Sequence, residues 1–304
     1  MREPRPTPEI IDYEGSDYRT RFWEGQGREY EDAVERVALR KLLPQSGKLL
    51  LDLGAGFGRL ANMYHQHDRV VLFDFSRSQL QYARERWGDD RFLYVAGDFY
   101  RLPLATGLFD TITQIRVLHH VKDVPALFAQ LQRTIRPGGT YILEFANKRN
   151  LKAIGRYLLR RQDWSPFDRD PVEMSELHFN FHPSWTRNEL RSAGFEIERQ
   201  ITISHFRLGL LKRYVPLQLL AGLDSLIQPT GAWWQLSPSV VIKSVAEAKG
   251  SGAGEDEFFV CPGCQNPLTT PTWVMERTEP QDGELICDAC QARWEIRNGI
   301  FVFK

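Results

Sequence analysis

Short apolar runs recur along the first half of the chain, with polar, helix-patterned stretches between them. Leu49-Leu50-Leu51, Val70-Val71-Leu72-Phe73, Phe92-Leu93-Tyr94-Val95, Phe109-Asp110-Thr111-Ile112-Thr113 and Thr140 to Phe145 are near-continuous rather than alternating. A strand with one wet face alternates apolar and polar residues, and a strand buried on both faces does not. These runs therefore predict a parallel sheet covered by helices. The connections agree. Asp123 stands as an N-cap with Pro125 in the first turn, the helix runs to about Arg136, and Pro137-Gly138-Gly139 ends it before the next strand. Strand and helix alternate as βαβαβ, the order of an α/β domain.

Beyond the sheet, the pattern predicts helices near Glu29 to Leu43, from about Thr186, and over Leu208 to Ile227, the last covering the C-terminal half of the sheet. Lys212, Arg213, Pro216 and Asp224 interrupt that last stretch, which excludes a membrane span. Lys148, Arg149, Lys152, Arg156, Arg160 and Arg161 form a run without an acid. With Leu151, Ile154 and Leu158 on its other side, the run reads as a basic amphipathic helix. Its basic face suits solvent, a membrane surface, an RNA backbone or an acidic substrate.

The first strand runs into Asp52-Leu53-Gly54-Ala55-Gly56-Phe57-Gly58, a glycine turn expected to open a helix and to let a ligand approach where no Cβ intrudes. Asp74 closes the next strand about twenty residues on, where a carboxylate accepts from two ribose hydroxyls. Arg59 occupies the place of the third glycine of a dinucleotide loop, and Asp52 would repel a pyrophosphate. Both features disfavour NAD and FAD. S-adenosylmethionine has no phosphate and carries an ammonium and a sulfonium, which an adjacent acid favours.

On Asp52, Gly54, Gly56 and Gly58 the chain resembles the class I S-adenosylmethionine-dependent methyltransferases, whose loop reads Asp-x-Gly-x-Gly-x-Gly. That resemblance implies a Rossmann-like sheet of seven strands, mostly parallel with the last antiparallel; Phe195 to His205 and Ser237 to Ala246 fit its last two strands. It implies a cofactor set of Asp52, Gly54, Ala55, Gly56, Gly58, Asp74, Phe75, Asp98, Phe99 and Gln114, with Asp98 on the adenine amino group and Phe99 on the ring. Arg116-Val117-Leu118-His119-His120-Val121 resembles the Leu-His tract of the ubiquinone/menaquinone methyltransferase-like branch. His119 and His120 are the candidate catalytic bases, in a region where packing or capping is the plainer role.

All the cysteines lie beyond a glycine-rich, charged joint at residues 246–257, expected to be a linker. Cys261-Pro262-Gly263-Cys264 and Cys287-Asp288-Ala289-Cys290 stand 22 residues apart, the pattern of a structural zinc site with four thiolates. Zinc would supply folding energy that so short a segment lacks; disulfides, an iron site or a redox pair are the alternatives. Around the knuckles, residues 258–304 resemble the zinc-ribbon proteins that activate tRNA, rRNA and release-factor methyltransferases. Glu295 and Phe301 stand where that family usually has proline.

Two aromatic segments are expected to close over the site. Residues 1–47 form a helical N-terminal lid carrying Tyr13, Tyr18, Phe22, Trp23 and Tyr30, and residues 148–186 a lid insert carrying Trp164, Phe167, Phe179, Phe181 and Trp185. His178 and His182 flank Phe179-Asn180-Phe181 at a metal-like spacing, without an acidic partner motif. Lys+Arg and Asp+Glu number 39 each, so no whole-protein basic field marks nucleic-acid binding. The charged, proline-rich start, Met1 to Pro6, shows no signal-peptide pattern, and a cytoplasmic location is expected.

The combined expectation is a methyltransferase domain over residues 1–245 followed by the zinc ribbon, acting on a small, hydrophobic acceptor. RNA docked through the ribbon is the second reading. A catalytically silent, cofactor-binding adaptor is the third.

Overall fold

The computed structural model describes residues 9–247 and 257–304. The Met1–Pro6 segment and most of the 246–257 linker lie outside the described residues. In chain order the elements are α1 (Glu29–Leu42), β1 (Gly47–Leu53), β2 (His67–Asp74), α2 (Arg77–Trp87), β3 (Phe92–Gly97), β4 (Phe109–Gln114), α3 (Val124–Thr134) and β5 (Ile135–Ala146). There follow α4 (Leu151–Leu158), the hairpin β6 (Val172–Ser175) and β7 (His178–Asn180), α5 (Pro183–Ser192), β8 (Phe195–Ile203), α6 (Gly209–Tyr214), α7 (Leu217–Ile227) and β9 (Ser239–Ala246). The remainder holds β10 (Phe259–Val260), β11 (Pro267–Leu268), α8 (Thr272–Glu276), β12 (Gly283–Ile286), β13 (Arg293–Arg297) and β14 (Ile300–Phe303).

The expected seven strands are present in the order β3-β2-β1-β4-β5-β9-β8, with β1 to β5 parallel and β9 antiparallel to both its neighbours. The sheet does not stop at β3. The ribbon strands continue it as β12-β13-β14, and β14 pairs with β3 in parallel from Ile300↔Tyr94 to Phe303↔Gly97. A second clasp holds β10: Val260 N donates to Pro103 O, and Ala105 N donates to Phe258 O, both at 3.0 Å. Phe259, Phe301, Trp273 and Val274 join Leu93, Val95 and Leu104 in one apolar core. The 246–257 joint was expected to set the ribbon apart from the larger domain's core; the ribbon's apolar residues share that core instead. The reason lies in β3, whose six residues are all buried and whose open edge needs a partner for its backbone groups.

Several local expectations shift. No α-helix follows the glycine turn; after three left-handed glycines the chain manages only a 3-10 turn, Ala61–Met63. The helix after Asp123 stops at Thr134, and Pro137-Gly138-Gly139 lies inside β5 next to a register shift against β4. The helix expected from Thr186 begins at Pro183, capped by the His182 ring, which accepts from Ser184 N at 3.2 Å. Leu208 to Ile227 is two helices rather than one, because Pro216 cannot continue α6 and starts α7. The basic run is helical only from Leu151 to Leu158, and Lys148 is buried, its ammonium donating to Asp170 O at 2.6 Å.

Candidate functional site

The cofactor cleft is built at the carboxyl ends of β1, β2, β3 and β4. Gly54 N and Ala55 N donate to Phe73 O at 2.8 and 3.0 Å, tying the loop to β2. Gly54 and Gly56 hold left-handed φ of 73° and 52°. A Cβ on Gly54 would sit 2.2 Å from Val117 Cγ2, so no side chain fits there; around Gly56 there is open space for a ligand. Gly56 N and Ser76 N donate to the two carboxylate oxygens of Asp74 at 2.7 and 2.8 Å. Burial pushes the Asp74 carboxyl up to about 6, against the pull of those two donors.

Two lobes meet over Gly54 and Gly56. The first, about 610 Å³ with its open mouth included, lies between Asp74, Phe75, Phe99 and Val117 on one side and Ile10, Ile11, Tyr13 and Tyr18 of the N-terminal segment on the other. The second, about 410 Å³, is lined by Asp52, Ala55, Arg59, Arg116 and Trp23. An apolar lobe with one carboxylate suits an adenosine, and a polar lobe holding an acid and two guanidiniums suits an α-amino acid. The residues present thus fit S-adenosylmethionine. Burial raises Asp52 to about 7 although its carboxylate accepts from Thr113 Oγ1 at 3.0 Å; an ammonium placed beside it would restore its charge.

Arg116 and Glu35 had no signal in the spacing of the sequence. Arg116 sits just past β4 with a left-handed φ of 62°, held by its N–H donating to Glu144 Oε2 at 3.0 Å. Its Nε donates to Glu35 Oε1 at 2.6 Å, and Arg59 Nη2 lies 2.7 Å from Glu35 Oε2. Burial pushes the Glu35 carboxyl up, but the two guanidiniums outweigh it and hold it below the usual carboxylate range. Trp23 covers the pair, 3.8 Å from the Arg59 guanidinium carbon and 5.2 Å from that of Arg116. Arg59, which stood out in the sequence only as a missing glycine, is thus part of a charged floor.

His120 lines the first lobe. Its Nδ1 lies 3.3 Å from Leu177 O, which can only accept, so Nδ1 carries the proton of a neutral ring and Nε2 accepts from the Tyr13 hydroxyl at 3.3 Å. Burial, then the neighbouring His178, lowers His120 to about 4, and burial with His120 holds His119 well below its ordinary value. Both imidazoles are therefore neutral near neutral pH. His178 joins them, its ring centroid 4.5 Å from that of His120, while His182, at a metal-like spacing from His178 in the sequence, caps α5. His119, His120 and His178 are grouped closely enough for a metal, but both nitrogens of His120 are already engaged.

Of the other expected residues, Asp98 does not line either lobe; it stands next to Phe99, which lines the first, and accepts from Tyr100 N at 2.7 Å. Gln114 is in neither lobe; its buried side-chain oxygen accepts from the Tyr141 hydroxyl within the sheet core. Of the lid aromatics, Tyr13, Tyr18 and Trp23 reach the cleft, whereas Phe181 is buried and stacks on Trp185 at 5.4 Å. The ribbon also reaches this site: Lys304 Nζ lies 3.9 Å from the Phe75 ring, and Phe303 packs behind Gly97.

The four cysteines converge. Cys261 and Cys290 sulfurs are 3.6 Å apart, and Cys264 and Cys287 sulfurs 3.5 Å, near the roughly 3.8 Å that tetrahedral Zn–S bonds of about 2.3 Å require. All are free thiols, which sets disulfides aside. The knuckles are built alike: Gln265 N donates to Cys261 O at 2.8 Å and Gln291 N to Cys287 O at 2.7 Å, both glutamines left-handed. Asn298 and Gly299, with φ of 50° and 64°, make the expected two-residue turn between β13 and β14.

Residues 51–143 match the model of a methyltransferase domain, and residues 257–299 that of Trm112p-like protein. The chain is 36% identical over 107 residues to the demethylmenaquinone methyltransferase of Thermobifida fusca, covering 34% of this chain and 45% of that one. It is 36% identical over 110 residues to the malonyl-[acyl-carrier protein] O-methyltransferase of Pectobacterium atrosepticum, covering 36% and 42%. The chain thus spans less than half the length of these curated relatives. Among solved structures, one chain from a complex between the Haloferax volcanii Trm112 methyltransferase activator and a methyltransferase superposes with a TM-score of 0.53 at 17% identity, covering 79% of this chain and 100% of that one. The chain joins an S-adenosylmethionine-dependent methyltransferase fold to a Trm112p-like zinc ribbon within one polypeptide.

Proposed function

We propose that this chain transfers a methyl group from S-adenosylmethionine to a small, hydrophobic acceptor. The reading rests on the first lobe, where apolar walls, Asp74 and the neutral His120 enclose one space at the sheet's carboxyl edge. The acceptor named for one relative, a demethylmenaquinone, is in keeping with it, whereas the malonyl group on a carrier protein named for the other is an anionic acceptor. S-adenosylmethionine, when bound, brings an electrophilic methyl on a sulfonium. What remains for the protein is to align the acceptor and remove its proton. Asp74 and Asp52 fix the two ends of the cofactor, Tyr13 and Tyr18 exclude water, and His120 Nε2 is the proton acceptor once Tyr13 yields its hydrogen bond.

We read the location as cytoplasmic, with peripheral membrane contact through the basic run at α4. Among the described residues, no helix is long and apolar enough to cross a membrane. The test is incubation of the full chain with labelled cofactor and separate small-molecule and RNA pools. Label in an extractable small molecule supports the reading. Label in RNA would replace it with the ribbon-docked alternative, and tight cofactor binding without label in either pool would favour the silent adaptor.

A further inference from the structure

The registers bring three apolar stretches to one place. Ser239 pairs with both Ala146 and Ile203, so the segments after β5, after β8 and before β9 leave the sheet at the same edge, the edge into which the cleft opens. Leu151 N donates to Leu236 O at 2.9 Å, stitching the start of α4 to the segment holding Trp233 and Trp234.

These stretches leave apolar side chains bare. Trp233 and Trp234 are 77% and 65% exposed, and Leu210, Leu226 and Leu158 are similarly open. On α7 the exposed Leu219, Leu223 and Leu226 follow one helical stripe, while the buried Leu220 and Asp224 lie on another. Along α4 and α6 the exposed charges are basic, although Asp163 follows the basic run and Lys212 of α6 pairs with Glu31. Lys152, Arg156, Arg160, Arg161 and Arg213 are exposed and in no ion pair among the described residues. No acid occurs from residue 147 to 162, and from 206 to 237 the one acid, Asp224, is buried against Tyr30 and His205.

We infer that α4, α6, α7 and the Trp233-Trp234 turn form a docking face for an anionic lipid bilayer. Trp, Leu and Tyr suit the interfacial zone, and unpaired arginines beside them suit lipid phosphates. The surface extends well past the basic helix and turns the cleft's edge toward the membrane. It does not depend on the acceptor's identity, because lipid binding is read without turnover.

The experiment is co-sedimentation of the full chain with vesicles of phosphatidylcholine, with and without phosphatidylserine. Binding is expected only with phosphatidylserine. Arg156→Ala and Arg160→Ala should each lower partitioning about fivefold, in line with the usual worth of one charge near such a surface. Trp233→Ala with Trp234→Ala should lower it about tenfold or more while cofactor affinity stays unchanged, showing that the variant is folded. Should the tryptophan pair prove necessary for folding, Leu226→Gln poses the same question. Folded protein that ignores anionic vesicles, or binds them equally without the arginines and tryptophans, would overturn the inference. So would a solution dimer that the tryptophan variant splits, since the face would then belong to a second copy.

Discussion

Apolar side chains reach the margins of the central sheet in two places, and the two are finished differently. At β3 the margin is closed: β14 pairs with it residue by residue, and Phe301 stacks on Trp273 with centroids 5.2 Å apart. At the carboxyl edge beside β5, β9 and β8 the apolar residues stand open, interleaved with cations. A protein partner is matched by register and shape, as the ribbon matches β3. A face of loosely spaced leucines, tryptophans and arginines has no register to match, and it suits a partner that is soft and charged.

The sharpest way to break this comparison is to take away the closure. Metal ligation supplies on the order of 10 kcal/mol to a structural zinc site, so chelation or Cys287→Ser should unfold the ribbon. Because the ribbon shares its core with β3, the rest of the chain should lose stability too. Calorimetry should show one lowered transition; an unchanged main transition would mean that the two cores are independent. Cofactor affinity should fall with it, since Phe303 and Lys304 support Gly97 and Phe75.

Phe301→Ala, which empties a fully buried ring from the joint, should cost about 3–5 kcal/mol in denaturant unfolding, the usual cost for such a cavity. A cost below about 1 kcal/mol, typical of an exposed site, would show that the shared core carries little. Away from the joint, Asp74→Ala should weaken S-adenosylmethionine binding by about 1.5–3 kcal/mol, the worth of hydrogen bonds to a charged group. Titration calorimetry finding equal affinities would remove Asp74 from the cofactor site.

A further effect is one of pH. Burial raises Asp52 to about 7 and Asp74 to about 6, above an ordinary value of 3.8, so between about pH 4 and 7 the folded chain holds protons that the unfolded chain has released. Stability from these two groups should therefore be greatest below that window and decline as pH rises through it. Cofactor affinity should move the other way, rising as both carboxyls ionise. Melting curves and binding isotherms across this range test the pair of opposite slopes, and Asp52→Asn should flatten part of each.

How much of this was legible in the sequence follows the range of the interactions. The glycine loop, Asp74 and the two Cys-x-x-Cys knuckles are each marked by a short local motif, and those motifs, with the resemblance they carry, singled them out. The Asn298-Gly299 turn belongs with them. Arg116 and Glu35 are far apart in sequence and meet only once α1 lies against the end of β4, so no local pattern could announce the pair. Gln114 was misplaced because a strand's last residue can face cleft or core, and Tyr141 from β5 decides between them. The continuation of the sheet into the ribbon was illegible for the same reason: a β3 buried on both faces looks alike whether its edge is bare or paired.

That pairing also bears on how the chain reaches its fold. Ile300 meets Tyr94 just over two hundred residues away along the chain, among the least local contacts a sheet can ask for. Such a contact closes late, because a long loop must be ordered before it gains anything. Until then β3 presents an apolar strand with its backbone groups unpaired, the kind of edge to which a second unfinished molecule adheres. The rate at which the ribbon arrives should therefore set the yield of soluble protein on refolding, more than it sets the final stability.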